Sequence, residues 1–77
     1  MKHLYLYNDN ENTFKKVWVA LQKFAGHAPN QAEQCCLIAH QNGRCHIKSG
    51  EFMELHIIQQ QLEKLNLKVE LKDKLYV

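Results

Sequence analysis

The sequence predicts an α+β domain of order βααβαβ, a three-stranded antiparallel sheet with three helices packed on one face. Three observations predict it. Short runs with a two-residue hydrophobic period recur at residues 3–7, 44–48 and 67–72. Three longer runs between them carry apolar residues at spacings of three and four. Each strand is half polar, so one sheet face is solvated and the helices must cover the other. With 77 residues the chain makes one domain, 1–77. At that size only about 60% of the unfolded surface can be buried, which leaves no second domain to close a deep catalytic cleft.

The first strand, His3 to Tyr7, sets Leu4 and Leu6 on one face and His3, Tyr5 and Tyr7 on the other. A polar loop, Asn8 to Asn12, is rich in turn and cap formers. Thr13 suits the N-cap of a helix with Phe14, Val17, Trp18, Leu21, Phe24 and Ala25 as its apolar positions, and Gly26 suits the left-handed residue that ends it. Pro29 and Asn30 open a second helix, with Asn30 and Glu33 at capping-box spacing. Its inward stripe is Ala32, Cys35, Cys36, Ala39 and His40, and Asn42-Gly43 closes it. The second strand runs from Arg44 to Lys48. Ser49-Gly50 starts the third helix, with Phe52, Leu55, Ile58, Leu62 and Leu65 inward and Asn66 as its stop. Leu67 to Lys72 alternates strictly and makes the last strand.

Composition excludes several classes. A net charge of +2 is too weak to argue for nucleic acid or an anionic membrane. No apolar stretch approaches the ~18 residues of a membrane span, and the first residues lack the apolar core of a signal peptide. Three cysteines, two of them adjacent, read as reduced thiols of a cytoplasmic protein. Cys35, Cys36, His40, Cys45 and His46 invite a metal reading. However, they form no C-x-x-C or H-x-x-x-H pair, so neither metal nor cofactor is expected.

Asn8-Asp9, Val17, Leu21-Gln22-Lys23-Phe24, Ala32, His40 and Gly43 follow a joint spacing, and Glu51-x-x-Glu54 opens the third helix. Taken singly, Asn8 and Asp9 are ordinary turn residues and His40 an ordinary helix-end histidine. Together they resemble the core domain of the ClpS family, from about Leu4 to Leu71. That family reads roughly N-D-D-x-T-P-M in the loop, V-L-x-x-F on the first helix and A-x-x-x-M-x-x-V-H-x-x-G on the second.

The resemblance implies a ClpS-like single domain, monomeric and not an enzyme. It would bind polypeptides through a free N-terminal amine and a large hydrophobic first residue, then hand them to a Clp-type ATP-dependent unfoldase for degradation. Asn8, Asp9 and His40 would receive the α-amine; Asn12, Phe14, Val17, Cys36 and Ala39 would wall the pocket for the first side chain. An α-ammonium group offers three donors, so its receptor needs acceptors converging from several directions. An amide carbonyl, a carboxylate and a neutral ring nitrogen supply them. Glu51, Glu54 and His56 match the unfoldase contact, although two carboxylates in a helix's first turn are favoured there without any partner.

Departures reshape this expectation. Asn10 takes an acidic position, and Asn12-Thr13 replace Thr-Pro. Phe14 stands where a Met gates the pocket, Cys36 and Ala39 replace Met and Val on its floor, and His56 replaces a Lys. The loop before the third helix is shorter by about two residues, and the long N-terminal extension used in delivery is missing. A larger gate over smaller floor residues predicts an altered preference among Leu, Phe, Tyr and Trp. Two other classes compete with this reading. Tyr5, Tyr7, Arg44, His46, Lys48, Lys68 and Lys72 make a basic sheet face that suits single-stranded nucleic acid. A thiol- or metal-dependent enzyme is disfavoured, because no base pattern accompanies the cysteines.

Overall fold

The computed structural model describes residues 1–74, so the last three positions of the expected 1–77 domain lie outside the described residues. The elements are β1 (Lys2–Tyr7), α1 (Phe14–Phe24), α2 (Pro29–Asn42), β2 (Arg44–Gly50), α3 (Phe52–Glu63) and β3 (Val69–Lys72). β1 lies at the centre of an antiparallel sheet of order β2-β1-β3. Element order and sheet are those the periodicity predicts.

Local chemistry sets the helix ends. Thr13 Oγ1 accepts the Lys16 N–H at 3.2 Å and starts α1. Gly26, at φ 71°, turns the chain out, and the His27 N–H donates back to the Leu21 carbonyl. α2 begins at Pro29, whose missing N–H costs nothing in a first turn. Its cap differs from the expected Asn30–Glu33 pair. Gln31 Oε1 accepts the Ala28 N–H at 3.2 Å instead, because the helix starts one residue before Asn30. Gly43 closes α2 at φ 91°. Asn66, at φ 64°, turns the chain after α3.

The core lies between the sheet and the helices. Leu4, Leu6 and Ile47 from the sheet meet Leu21 of α1, Ala32 and Cys35 of α2, and Leu55 and Leu62 of α3. Burying a leucine side chain contributes roughly 1.5–3 kcal/mol, so these contacts dominate the stability of so small a domain. Trp18 and Phe24 pack at the margin of this core, and Trp18 Nε1 donates to the Pro29 carbonyl at 2.9 Å, tying α1 to α2.

Further expectations need correction. Ser49 and Gly50 extend β2 rather than starting a helix, since both pair with β1. Phe52 is exposed rather than inward, because the later start of α3 turns it to solvent. His40 is also exposed, one residue beyond the buried Ala39. Tyr5, placed on the solvated sheet face, is 1% exposed. On the central strand its ring is covered by His46, edge-on at 5.4 Å, and by the Arg44 guanidinium at 5.8 Å. A base therefore has no Tyr5 face on which to stack.

A register shift between Leu4 and Tyr5 places one extra residue in β2, Ile47. Beyond it Lys48 pairs with inward-facing Leu4 and reaches Glu54 of α3 at 2.8 Å, so Lys48 leaves the outer face assigned to it.

Candidate functional site

A cavity of about 400 Å³ opens where the β1–α1 loop meets α1 and the C-terminal half of α2. Asn8, Asp9, Asn12, Phe14, Val17, Cys36, Ala39 and His40 all line it. Three segments far apart in sequence supply them, and backbone bonds bring them together. The Asn8 N–H donates to the Gly43 carbonyl at 2.9 Å and the Tyr7 N–H to that of Lys68 at 2.8 Å. The first of these fastens the loop to the end of α2, one turn past His40. The left-handed Gly43 makes that carbonyl available by stopping the helix there.

Asp9 organises the rim. Its Oδ1 accepts the N–H groups of Glu11 and Asn12, each at 2.8 Å, which is an Asx-type loop. Asn12 Nδ2 donates to Asp9 Oδ2 at 2.9 Å and to the Asn66 carbonyl at 3.0 Å, pinning the loop to the turn after α3. Burial pushes the Asp9 carboxyl up. The bonds from the Asn12 side chain and from the Asn12 and Glu11 backbone, with the charge of Lys68, outweigh this and hold it below the usual aspartate value. Asp9 is therefore ionised and builds the loop as well, in the turn role that Asp favours. Because Asn12 spends its amide nitrogen on these bonds, its carbonyl oxygen is the acceptor left to it.

The floor is apolar and its thiol is inert. Cys36 is buried, and burial first, then the Cys45 and Glu33 charges, push its thiol up to about 11. A neutral thiol behaves as a small hydrophobe. Phe14 stands half-exposed at the mouth and Val17 half-buried behind it. Leu6, Tyr7 and Leu37 also line the cavity and were not among the expected site residues, and Asn10, the position that departs from an acidic residue, joins them.

Glu51, Glu54 and His56 lie elsewhere, at the β2–α3 corner. Glu51 sits at the N-cap of α3 without capping it by its side chain, Glu54 pairs with Lys48, and His56 stacks on Phe52 at 5.1 Å. Phe52, Met53 and Ile57 beside them are exposed.

Fold and cavity define a small α+β binding domain, open to solvent on one side. The chain belongs to the ClpS family: the family model described as ATP-dependent Clp protease adaptor protein ClpS matches residues 1–72. It is thus an adaptor of the Clp protease system. Among solved structures it is similar to Agrobacterium tumefaciens ClpS2, determined bound to L-phenylalaninamide. The TM-score is 0.76 at 15% identity, over 92% of this chain and 93% of that one. No curated protein sequence matches the chain. Among the described residues no helix is long and apolar enough to cross a membrane.

Proposed function

We propose that this adaptor captures polypeptides by a free N-terminal amine and a large hydrophobic first residue, and presents them to a Clp-type ATP-dependent unfoldase for degradation. One observation carries the reading: an ionised carboxylate and two further polar side chains border the same cavity as an apolar floor. An α-ammonium group needs convergent acceptors, and Asp9, Asn8 and His40 offer a carboxylate, an amide carbonyl and a ring nitrogen. The cavity's volume falls within the roughly 300–1,000 Å³ of small-ligand pockets. L-phenylalaninamide, the ligand of the Agrobacterium protein, has the same two features: a free amine and a benzyl side chain.

The adaptor acts by binding, not by chemistry, and the raised Cys36 thiol supports this. Three free cysteines support a cytoplasmic setting. Phe14 at the mouth favours a first residue with a ring, since offset or edge-to-face ring pairs add about 0.5–1.5 kcal/mol beyond burial.

Fluorescence anisotropy with a labelled peptide beginning with Phe tests the reading. Acetylating its amine removes the charge and two donors, and binding should be lost. Equal affinity of the free and acetylated forms would refute amine recognition. Competition among peptides beginning with Leu, Phe, Tyr and Trp tests the ring preference, and four equal affinities would remove it.

A further inference from the structure

A second groove, of about 470 Å³, lies between α1 and Leu65, which follows α3. It shares no lining residue with the cavity and is the more open of the two. Its floor is apolar, made by Val19, Ala20 and Phe24 of α1 together with Leu65. Val19 is 44% exposed, an unusual state for so apolar a side chain in so small a domain. Lys15, Lys16 and Lys23, all exposed, stand around this floor, and no acidic side chain lines the groove.

The charge of these lysines is unspent. Lys2, Lys48 and Lys72 each lie against a carboxylate, of Asp73, Glu54 and Glu70. Among the described residues, none of the three groove lysines forms such a pair. Lys23 instead leans over the Phe24 ring, 5.4 Å from its centroid, which keeps its ammonium group beside the apolar floor. Lys15 and Lys16 occupy the first turn of α1, which holds no acidic residue. The helix dipole favours acidic side chains there, so both lysines stand at a cost to the helix alone. An anionic partner would offset that cost.

We propose that this groove docks an acidic amphipathic segment of a protein partner, with its apolar side chains on the floor and its carboxylates on the lysines. Lys16 and Lys23 are seven residues apart, about 10.5 Å along the helix, and Val19 and Ala20 lie between them on the same face. A partner helix with two acidic residues seven apart and a large apolar residue between them has the matching spacing. Other occupants fit less well. Small-ligand sites bury roughly 70–90% of what they hold, and so open a groove would leave a small anion largely in water. A flat lipid surface would meet the lysines but not the base of the groove, where Ala20 is 2% exposed.

The probe is a synthetic helical peptide with two Glu seven residues apart and Leu between them on one face. It is acetylated at its N-terminus, so that it offers no free amine to the cavity, and labelled at its C-terminus. Anisotropy should show binding to the full chain that weakens as salt rises from about 50 to 300 mM. Replacing both Glu of the peptide by Gln should weaken it about tenfold or more. The double variant Lys16→Glu/Lys23→Glu should lose binding to the same degree, with unchanged far-UV circular dichroism, and should bind a peptide carrying Lys in place of both Glu. Asp9→Asn should bind the acidic peptide as the parent does, which separates this site from amine recognition. Four results would overturn the proposal: no binding at millimolar peptide; equal affinity for the Glu and Gln peptides; unchanged affinity in the double variant; or pelleting of the chain with phosphatidylglycerol vesicles that the peptide does not displace, which assigns the lysines to a lipid surface.

Discussion

The cavity rim and the β2–α3 corner each present a carboxylate, but the two sit in opposite electrostatic circumstances. Asp9 is hydrogen-bonded by neutral donors, the amide groups of Glu11 and Asn12, and Lys68 adds only its charge without an ion pair, so the negative charge of Asp9 is oriented rather than offset by a direct partner. Glu54 is held by Lys48 at 2.8 Å, and the pair offsets its own charge. A carboxylate fixed by amides remains a receptor for a cation. One fixed by an ammonium group has largely spent its attraction. The difference separates a site for a charged amine from a self-contained surface pair, although both look alike as acidic residues in a sequence.

The largest effect should come from Asp9→Asn. Its amide oxygen can still accept the loop N–H groups, while the charge is gone. Affinity for a peptide with a free N-terminal Phe should fall about 10- to 100-fold, the worth of one charge-assisted hydrogen bond. Asp9→Ala should lose the same affinity and also destabilise the fold by about 1–2 kcal/mol, through the orphaned N–H groups of Glu11 and Asn12. If Asp9→Asn binds as tightly as the parent by anisotropy, the contrast between the two carboxylates collapses.

Gly43→Ala should follow in size. Nothing lies within 4 Å of an added Cβ, so the cost is the backbone conformation alone, at φ 91°. About 1–2 kcal/mol is expected in urea melts. Peptide affinity should drop with it, because the Gly43 carbonyl fastens Asn8 to α2.

Acid should act on the rim through Asp9. The depressed folded-state value of Asp9 means that its contribution to stability is complete above the ordinary 3.8 and is lost as pH falls through the lower folded value. Urea melts of the parent and Asp9→Asn should therefore differ above about pH 4 and converge in stronger acid. Identical stabilities across that window would remove the linkage.

Lys48 and Glu54 should give the smallest effect. A double-mutant cycle on this half-exposed pair should return about 0.2–1 kcal/mol, diminished by salt, with peptide affinity unmoved in both single variants. A loss of affinity in Glu54→Gln would tie the corner to the cavity.

Much of this was legible before any coordinates. The element order and the caps at Thr13, Gly26 and Gly43 follow from local rules, and so do the buried Leu4, Leu6, Leu21 and Leu62. Eight of the twelve residues that line the cavity were legible through family spacing, which encodes proximity that no local rule contains. What was missed has physical causes. The burial of Tyr5 depends on neighbours from another strand, the turn of Lys48 toward α3 depends on a bulge, and the exposure of Phe52 depends on two residues joining β2 instead of α3. The groove between α1 and Leu65 joins distant parts of the chain and carries no sequence signature.

By itself the sequence determined where each helix and strand forms, because periodicity and capping act over three or four residues and answer to side chains close by. The tertiary structure alone decided which polar groups share a space and which partner holds each of them. Those outcomes depend on strand register and on contacts between distant segments, where one inserted residue reverses the facing of every side chain beyond it. For this protein that inserted residue is Ile47.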